Sequence, residues 1–284
     1  MCKECGCGTG GEVRILSGPG SEAHDSAPGH GRPEPAKAAE PKGSGLPEAG
    51  QTQGLSHAHE GGGHTVTLHR SLLEKNQRLA ERNRGFFRAK GLLVLNVVSA
   101  PGSGKTTLIE RTAVGLQGRL RCGVIVGDLA TDRDATRLRA VGIPVVQVAT
   151  GTVCHLDAEM VQRAARQLPL DGLDLLILEN VGNLVCPADF DLGEDLRVVL
   201  LSVTEGEDKP LKYPPLFHSA HVAVVTKTDL AEAAGFDRAA ALENLHRISH
   251  HARVFEVSAK TGAGMDAWLD YLVAEHQRVN AECW

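Results

Sequence analysis

Between residues 92 and 257 the chain alternates short, nearly continuous apolar runs with amphipathic stretches of helix length. The runs fall at 92–98, 123–127, 145–148, 173–178, 197–203, 221–225 and 254–257. Helices are predicted at 105–116, 132–140, 157–168 and 237–249, with a last one at 265–277. A strand that is apolar on both faces needs both faces covered, and helices inserted between successive strands supply that cover when the strands run parallel. The expected fold class is therefore α/β, a mainly parallel sheet flanked by helices. Ligands of such a sheet collect beyond the C-terminal ends of its strands. None of the runs approaches the ~20 apolar residues of a membrane-spanning helix.

The N-terminal segment has the opposite character. Residues 17–64 contain eleven Gly and six Pro but no Phe, Tyr or Trp. Such a stretch cannot bury enough apolar surface to offset its ordering entropy, and it is expected to be a disordered tether. It separates a cysteine-bearing head, residues 1–16, from a domain at 65–284. His24, His30, His57, His59 and His64 lie on the tether, either as transient metal contacts or as solvated side chains. A helix is predicted over 71–90, with Leu72, Leu73, Leu79, Phe86 and Phe87 interrupting a charged surface so that it packs against the main domain.

Charge and cysteine usage narrow the function classes. The net charge is -5 with no dense run of Lys and Arg, which argues against a nucleic-acid or anionic-membrane footprint. Met1-Cys2-Lys3-Glu4-Cys5 lacks the apolar region of a signal peptide, and a cytoplasmic location is expected. Seven cysteines, an odd number, fit metal binding or burial better than a disulfide framework. Cys122 opens an apolar run and reads as a core thiol. Cys283 is assigned no role.

Ser99-Ala100-Pro101-Gly102-Ser103-Gly104-Lys105-Thr106 follows the first run and opens a helix, the context a phosphate-binding loop requires. Gly102 and Gly104 allow the backbone N–H groups around Ser103 to turn toward phosphate oxygens, and the helix start, through Thr107, adds its positive end. Lys105 reaches the β- and γ-phosphates, and the Thr106 hydroxyl is placed to ligate Mg2+. The strict pattern begins with Gly where this chain has Ser99. The run 173–178 leads into Glu179, whose carboxylate can hold a magnesium-bound water, and Gly182 permits close approach to the γ-phosphate. Asp128 ends another run ahead of the polar Thr131, Asp132, Arg133 and Asp134, a candidate switch segment; a helix or turn cap is the other reading of Asp128. Lys105, Thr106, Asp128, Glu179 and Gly182 are thus the candidates for hydrolysing a terminal phosphate.

Base selection points to guanine. Thr226-Lys227-Thr228-Asp229 follows the run 221–225, and the Asp229 carboxylate can accept from guanine N1–H and the 2-amino group, donors that adenine lacks. Lys227 can cover the base with its aliphatic stem, and the backbone at Ser258-Ala259-Lys260 can contact the guanine carbonyl. The usual guanine motif has Asn where this chain has Thr226. GTP and GDP are the expected nucleotides.

Taken together, the motifs resemble the HypB family, the nickel-incorporation GTPases of NiFe-hydrogenase maturation, P-loop NTPases of SIMIBI-like architecture. The resemblance rests on Cys2-Lys3-Glu4-Cys5-Gly6-Cys7, the phosphate loop, Gly127-Asp128 with Thr131 and Asp132, and Thr150-Gly151 followed by Cys154-His155. It also rests on Glu179-Asn180-Val181-Gly182-Asn183 leading to Cys186-Pro187, and on Lys209-Pro210-Leu211-Lys212-Tyr213-Pro214. It implies that Cys2, Cys5 and Cys7 bind Ni2+ and that Cys154, His155 and Cys186 form a second Ni2+ or Zn2+ site. It further implies a GTP-dependent homodimer and, as partners, a HypA-type nickel/zinc accessory protein and the hydrogenase large-subunit precursor.

Local chemistry supports these ligands. Three thiols within six residues can converge on one ion with the terminal amine as a fourth donor, a set that suits planar nickel and also tetrahedral zinc. A cysteine-rich end without a physiological metal, and structural thiols at Cys154 and Cys186, are the alternatives. Three donors in the domain leave an open position or invite a dimer-bridging arrangement. His218, His221, His246, His250, His251 and His276 read as surface or packing residues. Lys209 and Lys212 either meet phosphate or a partner subunit, or are solvated. Competing functions are a urease-type nickel-maturation GTPase, a GTP-regulated nickel or zinc store or sensor, and an ATP-dependent accessory protein.

Overall fold

The structure, a computed structural model, describes residues 14–16, 62–129 and 132–281, with backbone alone at 14, 16 and 62–69. In chain order the regular elements are β1 (Arg14–Leu16), α1 (Gly62–Ala89), β2 (Leu93–Val98), α2 (Lys105–Gly115), β3 (Cys122–Asp128) and α3 (Arg133–Ala140). They continue with β4 (Val145–Ala149), α4 (Ala158–Ala165), β5 (Leu175–Glu179), β6 (Leu196–Ser202), α5 (Lys209–Lys212) and α6 (Pro214–His218). The last are β7 (Val222–Thr226), α7 (Arg238–Ser249), β8 (Arg253–Glu256) and α8 (Met265–Ala281).

The eight strands form one sheet in the order β1-β4-β3-β5-β2-β6-β7-β8. Strands β2 to β8 run parallel to one another. The central strands β2, β5 and β6 are buried along their whole length, as expected when helices cover both faces. Side chains alternate between those faces. Leu93, Leu95 and Val97 pack with Leu108, Ile109, Trp268 and Leu272 beneath α2 and α8. Val94 turns the other way, toward Phe87 and Val161 of α1 and α4, and Val98 joins Phe217 and Leu245 of α6 and α7. Each fully buried side chain of this kind contributes about 1.5–3 kcal/mol.

Four elements differ from the sequence expectation, among them the short helices α5 and α6, which no predicted helix covers. Helix α1 begins at Gly62, earlier than 71. It docks through Asn76, Ala80, Asn83 and Phe87, a repeat of one helical face, while Leu72 and Phe86 are exposed. The two asparagines bind backbone: Asn76 accepts from Ala158 N and donates to Asp191 O, and Asn83 donates to Ala158 O and Leu192 O, at 2.8–3.0 Å. A further difference is β1, which forms the edge of the sheet and pairs antiparallel with β4, Arg14 opposite Ala149 and Leu16 opposite Gln147. The chain therefore enters β1 from the C-terminal end of the parallel strands. Cys122 is buried as expected, and burial pushes its thiol up to about 12. Among the described residues no helix is long and apolar enough to cross a membrane.

Candidate functional site

The turn between β2 and α2 forms the phosphate loop. Gly102 and Gly104 sit at φ 75° and 93°, the left-handed region that only glycine enters cheaply, and Gly104 caps α2 with no side-chain bond. The N–H groups at this helix start are thus left to an anion. Lys105 Nζ donates to Ser99 Oγ at 3.0 Å and lies 3.4 Å from Ala100 O. Burial lowers its pKa, opposed by the charges of Glu179, Asp134, Glu205 and Asp128. Ser99, at the position where the strict pattern has Gly, therefore braces the lysine of the loop. Its own hydroxyl donates to Ala100 O at 2.8 Å.

Thr106 Oγ1 donates to Glu179 Oε1 at 2.6 Å. Burial raises the Glu179 carboxyl to about 7 against the opposing Thr106 bond and Lys105 charge, and Asp134 adds to the rise. Its second oxygen, Oε2, is buried without a hydrogen-bond partner. A hydroxyl beside a buried carboxylate oxygen with unused lone pairs is a fitting donor set for a hard cation such as Mg2+. Asp128, Asp134 and Arg137 line the same cleft together with Lys105, Thr106, Glu179 and Gly182. A Cβ at Gly182 would stand 3.0 Å from Pro101 N and Cα, so the loop after β5 lies directly against the phosphate loop.

A second pocket continues from this cleft, sharing Gly104, Thr107 and Lys227 with it, and is lined further by Ser103, Thr226, Asp229, Leu230, Ala259 and Lys260. Thr226 Oγ1 donates to Ser103 O at 2.8 Å and Lys227 Nζ donates to Gly102 O at 2.6 Å. The threonine that replaces the usual asparagine thus still ties this strand end to the phosphate loop. Ser258 Oγ donates to Asp229 Oδ1 at 2.6 Å and accepts from Thr261 N at 3.1 Å, which orients the carboxylate.

The metal candidates of the domain come from the loops after β4 and β5, the two strands that flank β3 in the sheet. Cys154, His155 and Cys186 have ligand atoms within 4.8 Å of one another, and the two Sγ atoms are 2.9 Å apart. The His155 ring lies 3.9 Å from that of Phe190, and its Nδ1 is buried without a partner. Burial lowers its pKa, which favours the neutral ring that can donate a lone pair. Two sulfurs and one nitrogen suit nickel or zinc and not magnesium. Asn183 braces the pair of loops, donating to Cys154 O at 3.3 Å and accepting from Val185 N at 2.8 Å.

The other named residues divide plainly. His221 Nδ1 accepts from Arg197 N at 2.9 Å, and His218 Nδ1 lies 3.1 Å from Ile248 O, so both serve packing. Lys209 and Lys212 lie on the short helix α5. Cys2, Cys5, Cys7, His24, His30, His57, His59, Thr131 and Cys283 lie outside the described residues, as does the side chain of His64. Sequence reasoning missed Glu205, whose Oε1 is 2.5 Å from Ser103 Oγ, and Arg137, which reaches Thr107 and Glu110. It also gave no role to Asn96, although an amide inside an apolar strand was a visible signal.

Comparison with known proteins follows the same lines. A family profile described as CobW/HypB/UreG, nucleotide-binding domain, matches residues 93–256. The hydrogenase maturation factor HypB of Escherichia coli K12 is 45% identical over 290 aligned residues, spanning 96% of this chain and 98% of that one. HypB from Helicobacter pylori, whose crystal structure is a complex with nickel, is 38% identical with a TM-score of 0.69, covering 72% of this chain and 96% of that one. HypB from Archaeoglobus fulgidus is 42% identical with a TM-score of 0.67, covering 72% and 99%. The phosphate loop, the pocket beside it and these likenesses lead to one conclusion: the chain belongs to the CobW/HypB/UreG family of nucleotide-binding proteins, within its HypB branch.

Proposed function

We propose that this protein is a cytoplasmic GTPase that carries nickel and supports its insertion into the large subunit of a NiFe-hydrogenase. The observation that carries the reading is the adjacency of two unlike sites on one loop. Glu179 and Gly182 face the phosphate cleft, and seven residues after Glu179 the same segment supplies Cys186 to the thiol and imidazole cluster. The relatives named as hydrogenase maturation factors, and the nickel in the Helicobacter pylori protein, support the choice of cargo and acceptor.

In this reading Lys105 and the N–H groups at the start of α2 hold the phosphates, and Asp229 selects guanine. Thr106, Glu179 and Asp128 would hold Mg2+, which on binding neutralises charge on the phosphates during transfer to water. Ni2+ is cargo, held by Cys2, Cys5 and Cys7 and by Cys154, His155 and Cys186, with Zn2+ a competitor for the second set. Cys7 stands seven residues before Arg14, a covalent reach of at most ~25 Å. Arg14 pairs with Ala149 at the C-terminal end of the parallel strands, the end that carries the second cluster. A GTP-dependent homodimer and a HypA-type accessory protein complete the proposed set of partners.

The test is transfer of bound nickel to a hydrogenase large-subunit precursor or to a HypA-type acceptor with GDP, GTP or a non-hydrolysable GTP analogue present. Transfer that rises with GTP supports a carrier. Transfer indifferent to nucleotide would point to a store, and hydrolysis of ATP as fast as GTP would overturn the guanine assignment.

A further inference from the structure

A buried polar chain crosses the sheet beneath both sites. Asn180 follows β5 and is fully enclosed. Its Oδ1 accepts two backbone N–H groups, from Leu156 and from Val181, each at 3.0 Å. Two donors aimed at one atom fix that atom as the amide oxygen. The amide nitrogen donates to Asn96 Oδ1 at 3.2 Å, and Asn96 Nδ2 donates to Glu194 Oε1 at 3.0 Å. Glu194 is paired with Arg197, whose guanidinium donates onward to Ala188 O at 3.0 Å and Phe190 O at 2.9 Å.

The ends of this chain are informative. Leu156 is next to His155, and Val181 is next to Gly182, the glycine packed on the phosphate loop. Ala188 and Phe190 belong to the segment that begins with Cys186, and the Phe190 ring lies against His155. One carboxamide oxygen therefore joins the loop that faces the phosphates to the loop that carries an imidazole, and its nitrogen is anchored to the clamp on the remaining ligand loop. A buried acceptor shared by two N–H groups cannot follow one without loosening the other, because an unpaired buried N–H is costly.

We propose that Asn180 is the positioning residue through which phosphate occupancy and metal geometry sense each other. Movement of the backbone at Val181 and Gly182 toward a terminal phosphate changes the bond from Val181, and the anchored amide passes that change to Leu156 and His155. By reciprocity, a metal held by Cys154, His155 and Cys186 alters nucleotide affinity by the same factor. The inference rests on the nucleotide and metal reading given above and adds the residue that connects the two.

The experiment uses the full chain with Cys2, Cys5 and Cys7 replaced by Ser, so that the domain cluster is read alone. Co2+ affinity is measured from thiolate-to-cobalt absorption with Mg2+ and either GDP or a non-hydrolysable GTP analogue. A ratio of about fivefold or more between the two nucleotides is expected in this background. Asn180→Ala should bring the ratio close to one while cobalt and both nucleotides still bind. Asn83→Ala, which removes a comparable buried amide under α1, should leave the ratio unchanged. If Asn180→Ala does not fold, Asn96→Ala, which releases the far end of the carboxamide, carries the same expectation. Failure of the background to bind cobalt or nucleotide would overturn the functional reading itself. Binding of both with a ratio of one, an undiminished ratio in Asn180→Ala, or a ratio lost equally in Asn83→Ala would overturn the role of Asn180 alone.

Discussion

The nucleotide cleft and the cluster of two thiols and an imidazole lie at the same end of one sheet, and they are built by opposite means. The phosphate loop is local: eight consecutive residues, two left-handed glycines and a helix start present backbone N–H groups whatever the neighbouring side chains do. The cluster at Cys154, His155 and Cys186 is made of side chains alone, with the two thiols 32 residues apart. In the cleft, Lys105 turns to Ser99 and Ala100 of its own loop. In the cluster, His155 Nδ1 has no such substitute. A backbone site tolerates substitution around it, whereas a side-chain site depends on every loop that brings its ligands together.

The contrast can be broken most forcefully at the charges. Lys105→Ala should weaken GDP and GTP binding by ~100-fold or more, about 3 kcal/mol for a lost charge-assisted contact in a buried setting. Cobalt binding by the domain cluster should persist in the same variant. Cys186→Ala should do the reverse, removing the domain's cobalt absorption in a background without the head thiols while nucleotide affinity stays within ~3-fold. Titrations with a fluorescent GDP analogue and with cobalt check both, and loss of both ligands in either variant would mean that the two sites are one folding unit.

Glu179 offers a sharper test, since it belongs to the cleft yet owes its properties to burial. Its folded pKa is raised from 4.5 to about 7, so between those values the native state holds a proton that the unfolded state has lost. Stability of the ligand-free protein should therefore fall as pH rises through that window, by about 3 kcal/mol in total, and level off above it. Glu179→Gln should remove this contribution, as urea unfolding at pH 5 and pH 7.5 would reveal. Equal slopes in the two proteins would place the carboxylate in better-solvated surroundings.

The smallest effect is expected at the base. Asp229→Asn should reduce the preference for GTP over ATP by ~10- to 30-fold, about 2 kcal/mol, without altering the response to Lys105→Ala. A xanthosine triphosphate competition separates a lost acceptor from a collapsed pocket, because only the former shifts preference toward the altered base. Retained GTP preference would remove Asp229 from base selection.

Much of this molecule is contained in its residue pattern. Strands β2 to β8 and the longer helices after them appear within a few residues of where apolar periodicity places them, because burial on both faces demands continuous Val, Ile and Leu. The phosphate loop is equally readable, since its geometry depends on neighbours in sequence. Position 99 shows where local reading ends: a serine that departs from the pattern proves to be the brace for Lys105, which only the folded turn reveals. Strand β1 escaped notice because three residues carry no periodicity and their partner, β4, lies far along the chain. The docking of α1 through Asn76 and Asn83, with Leu72 and Phe86 left exposed, likewise follows from backbone groups that α4 and the segment at 191–192 present to it. Sequence by itself determined the parallel strands and the phosphate loop, which arise from contiguous residues or repeating burial, while the grouping of Cys154, His155 and Cys186 as one ligand set came from the family resemblance. The tertiary structure supplied the geometry by which Cys154, His155 and Cys186 converge, and it alone decided that Asn180 bonds both Leu156 and Val181. Those relations depend on long-range strand order and on how buried polar atoms share too few partners, and neither is encoded in local spacing.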